Sequence, residues 1–194
     1  MLTLLALSCW AALVGVAVTR LWAKKLTPGP STSVPVRWPA GSTLPRDAER
    51  PTMVVFAHRY CPCTRATAQK LREELDVSAD LRVVVVLVGA ESAEQAANDL
   101  TGFLRAELPQ ATFVKDEDAQ EARKFHVLTA GHVVLYDREG GLRFSGGVTA
   151  GRGEADRGPA QLRLRQALAQ LRTPARVTSV REGAVYGCAL LEGS

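Results

Sequence analysis

Cysteine is scarce in this chain: four among 194 residues, Cys9, Cys61, Cys63 and Cys188. They are too few and too unevenly spread to staple a small scaffold, so an ordinary hydrophobic core must hold the fold. Concentrated charge is missing too. The net charge is only +4, and lysine and arginine are interspersed with glutamate and aspartate, which excludes the basic face a nucleic-acid binder needs. No internal repeat is present. The glycine-rich stretch from Thr149 to Gly158 lacks the Gly-Lys-Ser/Thr ending of a phosphate cradle and does not follow a strand as one must. It reads as a partner-contacting or flexible loop. What remains, 46% hydrophobic and 23% charged, fits one globular domain with appendages.

From Leu2 to Val18 there is no charge at all, and Arg20, Trp22, Lys24 and Lys25 follow as a basic and aromatic flank. This is the pattern of a membrane-spanning anchor over residues 1–25, with Cys9 a small residue inside it. A cleaved signal peptide would open with a basic region, which is absent, and the residues before Cys9 do not suit a lipoprotein site. Two signals disagree on orientation. The basic flank places the C-terminal side in the cytoplasm, whereas stable disulfide chemistry requires an oxidising compartment. The reading adopted is a single-pass anchor with an extracytoplasmic, periplasmic-type domain.

Residues 26–51 form a linker carrying Pro28, Pro30, Pro35, Pro39, Pro45 and Pro51, which can be neither helix nor central strand. It is expected to hold the domain off the membrane as a semi-extended spacer, with Trp38 pinning its far end. The domain follows over residues 52–172, and residues 173–194 form a tail carrying Cys188. Within the domain, Met53–His58 and Leu81–Val88 read as buried strands, the second covered on both faces. Ala68, Leu71 and Leu75 mark an amphipathic helix between them. Ser92 and Gln95 form a capping box for a helix burying Ala96, Leu100, Phe103, Leu104 and Leu108. A short patch at Phe113-Val114, a short helix over 118–125, a hairpin of strands 132–137 and 142–145, and a helix burying Leu164, Leu168 and Leu171 complete the order β-α-β-α-(β)-α-β-β-α.

Cys61-Pro62-Cys63 stands where the first strand meets the first domain helix. A helix N-terminus offers unpaired N–H groups and a positive dipole end, and Arg59 and Arg65 flank the pair, so a thiolate is favoured there. Residues two apart on a regular helix point away from one another. Cys61 must therefore sit in the preceding loop for the sulfurs to meet, with Pro62 suited to the first helical position. The expectation is an exposed attacking Cys61 and a resolving Cys63. His58 lies close enough to sense the thiolate, His132 to face it across the fold, and His126 is expected at the surface. Cys188 is expected to pack, with folding back as a third thiol the alternative.

The element order, with Tyr60-Cys61-Pro62-Cys63-Thr64-Arg65-Ala66-Thr67 at its first junction, resembles the thioredoxin fold over about Thr52 to Arg172. Together with Leu142–Thr149 and Val185-Tyr186-Gly187-Cys188, the motif is similar to membrane-anchored bacterial redoxins labelled RedB-like. Two departures stand out. One residue rather than two separates the cysteines, and the place usually held by a cis-proline falls at Gly131. The resemblance implies an α/β, three-layer α/β/α sandwich behind an N-terminal transmembrane helix. It implies thiol–disulfide exchange with protein dithiols or disulfides near the membrane, through Cys61 and Cys63, without a diffusible cofactor. The rival reading is a soft-metal site, Cu(I) for instance, held by Cys61 and Cys63 with His58 or Cys188. Peroxidase chemistry is weaker, because Ala57-His58-Arg59-Tyr60 replaces the threonine-containing approach of peroxiredoxins.

Overall fold

The computed structural model describes residues 2–75, 80–93, 96–154, 159–171 and 181–191. Gln95 of the expected capping box, the end of the glycine-rich loop at 155–158 and tail residues 173–180 lie outside these. A 25-residue apolar helix, α1 (Leu2–Leu26), comes first, long enough to cross a membrane over Leu7–Leu26. β1 (Thr52–His58) and β2 (Arg82–Val88) are valine-rich and buried along nearly all their length, and each lies between covering layers.

Six strands form one sheet in the order β3-β2-β1-β4-β5-β6, with β3 Thr112–Asp116, β4 His132–Tyr136, β5 Leu142–Gly146 and β6 Arg181–Glu182. β1, β2 and β3 run parallel, β4 is antiparallel to β1, β5 antiparallel to β4, and β6 parallel to β5. Alternation along the strands feeds two cores. Met53, Val55, Val83 and Val85 face α2 (Pro62–Leu75), α3 (Thr101–Glu107) and α5 (Pro159–Leu171) through Ala68, Leu71, Leu104, Leu164 and Leu168. Val54, Phe56, Val84 and Val86 face Ala122 of α4 (Gln120–Lys124) and the neighbouring Phe125. Helices α2 and α5 are clamped by Glu74, buried in α2, which accepts hydrogen bonds from Arg165 Nε at 2.9 Å and Gln161 Nε2 at 2.8 Å.

Three expectations need correction. The proline-rich segment is extended, as its prolines dictate, but it is a belt on the domain rather than a spacer away from it. Val34 and Leu44 are buried in the α4-side core, and Trp38 stacks edge-on against Phe125 and Tyr136 at centroid distances of 5.1 and 5.3 Å. Its backbone is paired as well: the Pro35 carbonyl accepts from Tyr136 Oη at 2.8 Å, and the Val36 carbonyl from Leu142 N at 2.9 Å. Prolines take away N–H groups but leave every carbonyl free to accept, which is how such a segment docks.

The helix expected from Ala96 is broken. A single 3-10 turn spans Ala96–Asn98 and α3 starts only at Thr101, because Asp99 Oδ1 captures the Thr101 N–H at 2.8 Å and Leu100 N donates to the Arg59 carbonyl at 2.9 Å. Ala96 is exposed, while Leu104 and Leu108 are buried as expected. Ser92 donates its N–H to Tyr60 Oη at 2.8 Å instead of heading a helix. Finally, β6 extends the sheet with two residues that no periodicity announced.

Candidate functional site: a cluster of three thiols

β1 ends at His58, whose carbonyl accepts the Cys61 N–H at 3.0 Å and the Thr64 hydroxyl at 3.1 Å. These two bonds close the turn and set Cys61 just before Pro62, the first residue of α2, as the spacing demanded. Opposite, the C-terminal segment crosses the domain and delivers a third sulfur: Cys61 Sγ and Cys188 Sγ lie 2.6 Å apart. That is far inside ordinary van der Waals separation but longer than a disulfide bond of about 2.05 Å, and both cysteines are free. Cys63 Sγ interacts with both of the others and with the Gly153 N–H.

The tail reaches this position through strand-like pairing. Ala130 N donates to the Cys188 carbonyl and Leu190 N to the Leu128 carbonyl, both at 2.8 Å, with Thr129 and Ala189 bridged antiparallel between them. The Arg152 guanidinium holds the Gly187 carbonyl, and the Arg152 N–H donates to Lys25 O, at the end of α1, at 3.0 Å. Gly131, in the place where a cis-proline is usual, has φ of +85°, and a Cβ there would stand 2.8 Å from Thr67 Oγ1. Only glycine fits that turn beside the thiols.

One negative charge is shared unequally among the sulfurs. Cys61 is held well below the usual thiol range, first by contact with Cys188, then by Cys63; burial opposes this, and backbone N–H groups of Cys188 and Cys63 reinforce it. Cys188 is pushed up, chiefly because its sulfhydryl serves the Cys61 thiolate. Cys63 is raised: contact with Cys188 lowers it, but contact with Cys61, burial and the Cys61 charge outweigh that. A thiolate at Cys61 solvated by two neighbouring thiols is a nucleophile in waiting.

Several sequence expectations meet a different geometry. Cys61 is not exposed: it is 1% accessible, and Cys63 6%, beneath the tail, whereas Cys188 is partly exposed. Cys188 does not merely pack. The flanking arginines direct their charge elsewhere, Arg59 to Glu91 at 3.1 Å and Arg65 onto the Phe103 ring at 4.3 Å, so the thiolate is set by sulfur and backbone donors. His58 turns to Tyr60, its Nδ1 accepting the Tyr60 N–H at 3.4 Å, and His132 Nε2 pairs with Ser145 Oγ at 2.8 Å. His126 is exposed as expected and meets the belt at the Ser33 carbonyl. Among the described residues no group of three His, Cys, Asp or Glu side chains is arranged to hold a metal ion, and the Cu(I) reading gains no support over thiol exchange. Nothing periodic in the sequence pointed to Cys188. Only its small neighbour Gly187, permitting close backbone approach, hinted at docking.

No protein-family model matches the chain, and no curated protein does. Solved structures do resemble it. A hypothetical protein from Sinorhizobium meliloti superposes with a TM-score of 0.57 at 21% identity, covering 84% of this chain and 97% of its own. A conserved uncharacterised protein from Geobacillus kaustophilus gives 0.53 at 16% identity over 88% and 93%. A secreted disulfide oxidoreductase of Mycobacterium tuberculosis gives 0.46 at 17% over 63% and 82%. Three parallel strands, an antiparallel pair beside the first, helices on both faces and cysteines at the first strand–helix junction make this chain thioredoxin-like in fold.

Proposed function

We propose that the chain is a membrane-tethered thiol–disulfide oxidoreductase of the RedB-like kind, acting on protein dithiols or disulfides close to the membrane. Cys61 is the exchanging thiolate and Cys63 its resolving neighbour. The observation that carries this reading is the convergence of three sulfurs at one strand–helix junction, with the charge localised on Cys61. Such a group exchanges disulfides because the thiolate is available near neutral pH and a second thiol waits within reach to release the mixed disulfide. α1 supplies the tether, and an extracytoplasmic domain places the couple where disulfides persist.

The test is a redox titration of the full-length chain in detergent micelles across glutathione ratios, read by thiol alkylation and mass spectrometry. An intramolecular disulfide should form and reverse, and Cys61→Ser should abolish exchange with a dithiol. Failure to form any such bond at every ratio overturns the reading. A C-terminal topology reporter active only in the cytosol overturns the extracytoplasmic placement.

A further inference from the structure

Cys61 is buried, while Cys188, the partly exposed cysteine of the cluster, belongs to the tail. Around Cys188 the tail is held by two backbone hydrogen bonds to the Leu128–Ala130 segment, one arginine contact and the buried side chains of Val185 and Leu190. An extended segment pairing along an exposed backbone edge is the way peptides add to folded domains, and here the chain supplies its own.

We propose that Cys188 is the entry thiol of the site, an arm that exchanges with external dithiols or disulfides and passes the disulfide to Cys61. This deepens the oxidoreductase reading and rests on it. In the oxidised form a Cys61–Cys188 disulfide ties the arm down. A thiolate of an external dithiol attacks the sulfur of the partly exposed Cys188; the new sulfur–sulfur bond forms to Cys188 and the electron pair of the broken bond leaves on Cys61. The external partner's second thiolate then attacks its own sulfur in the mixed disulfide, and Cys188 departs as thiolate and takes a proton from water. The partner has lost two electrons and the Cys61–Cys188 pair has gained them. Run backwards, with an external disulfide as oxidant, the same steps restore the bond. The charge distribution suits this order, since Cys61 is the sulfur that best carries the departing electron pair.

Oxidised full-length protein in micelles, cut with trypsin without reductant, reports the linkage directly. Cleavage after Arg59, Arg65 and Arg181 puts Cys61 and Cys63 on one peptide and Cys188 on another. The expected result is a disulfide joining the two peptides that persists in Cys63→Ser and disappears in Cys61→Ser. Oxidised glutathione should add to Cys188 in the Cys61→Ser protein, and Cys188→Ser should slow exchange with dithiothreitol by about tenfold or more. A map showing only a Cys61–Cys63 bond in the wild-type protein, or a Cys188→Ser protein that exchanges at the wild-type rate, overturns the proposal while leaving the oxidoreductase reading intact. Loss of that broader reading looks different: no intramolecular disulfide would form in the wild-type protein at any glutathione ratio. Because the wild-type map needs no variant, misfolding of a substituted protein cannot mask the answer.

Discussion

Gly187 lies so close to the carbonyl of Ala130 that a methyl group on its Cα would overlap that oxygen. The tail docks only because this residue has no side chain. Gly187→Ala should therefore lift the segment from the Leu128–Ala130 edge at a cost of about 1–3 kcal/mol. Alkylation of Cys61 under native conditions should become faster, and the link between the peptides carrying Cys61 and Cys188 should weaken. An unchanged Cys61 alkylation rate would show that the docked tail does not shield the sulfur.

Cys61 should be ionised well below the range of a free thiol. Thiolate absorbance near 240 nm, followed from pH 9 down to pH 4 on reduced protein, should retain about one thiolate equivalent through neutral pH. Removing the largest contributor, as in Cys188→Ala, should move that ionisation upward. A wild-type titration centred at the ordinary thiol value would contradict the sulfur cluster.

His132 is buried, and desolvation pushes its pKa down from 6.5 to about 4. The unfolded chain therefore binds a proton that the folded chain refuses between these values. Stability is complete above about pH 6.5 and falls as the pH drops toward 4, by up to about 3 kcal/mol if His132 alone is responsible. Denaturant titrations at pH 7 and pH 4.5 should show the loss, and His132→Gln, which keeps a partner for Ser145, should flatten it.

Trp38 fixes the belt. Replacing it with alanine removes two edge-on ring contacts, to Phe125 and Tyr136, and should cost about 2–4 kcal/mol, read as a lowered midpoint in chemical denaturation. A free spacer would tolerate the change without effect.

The parts of this molecule that obey a period were legible in the sequence. Met53–His58 and Leu81–Val88 announce themselves by nearly continuous apolar runs, α2 by Ala68, Leu71 and Leu75, and the Cys-Pro-Cys turn by its place between them. What escaped is held by contacts without period. The belt docks through proline carbonyls, which leave no mark on hydropathy. The broken helix turns on one carboxylate, Asp99, competing for a backbone N–H. The Cys61–Cys188 approach joins positions 127 residues apart, and no local pattern encodes that separation. Burial of Cys61 was missed for the same reason, since the cover comes from the far end of the chain.

Arg152 has a consequence for how force travels. Its backbone N–H meets the last turn of the apolar helix at Lys25, its side chain grips Gly187 beside the outermost sulfur, and its neighbour Gly153 touches Cys63. The end of the apolar helix and the three sulfurs are thus joined through one residue, so a displacement of that helix reaches the cysteine cluster within a few bonds.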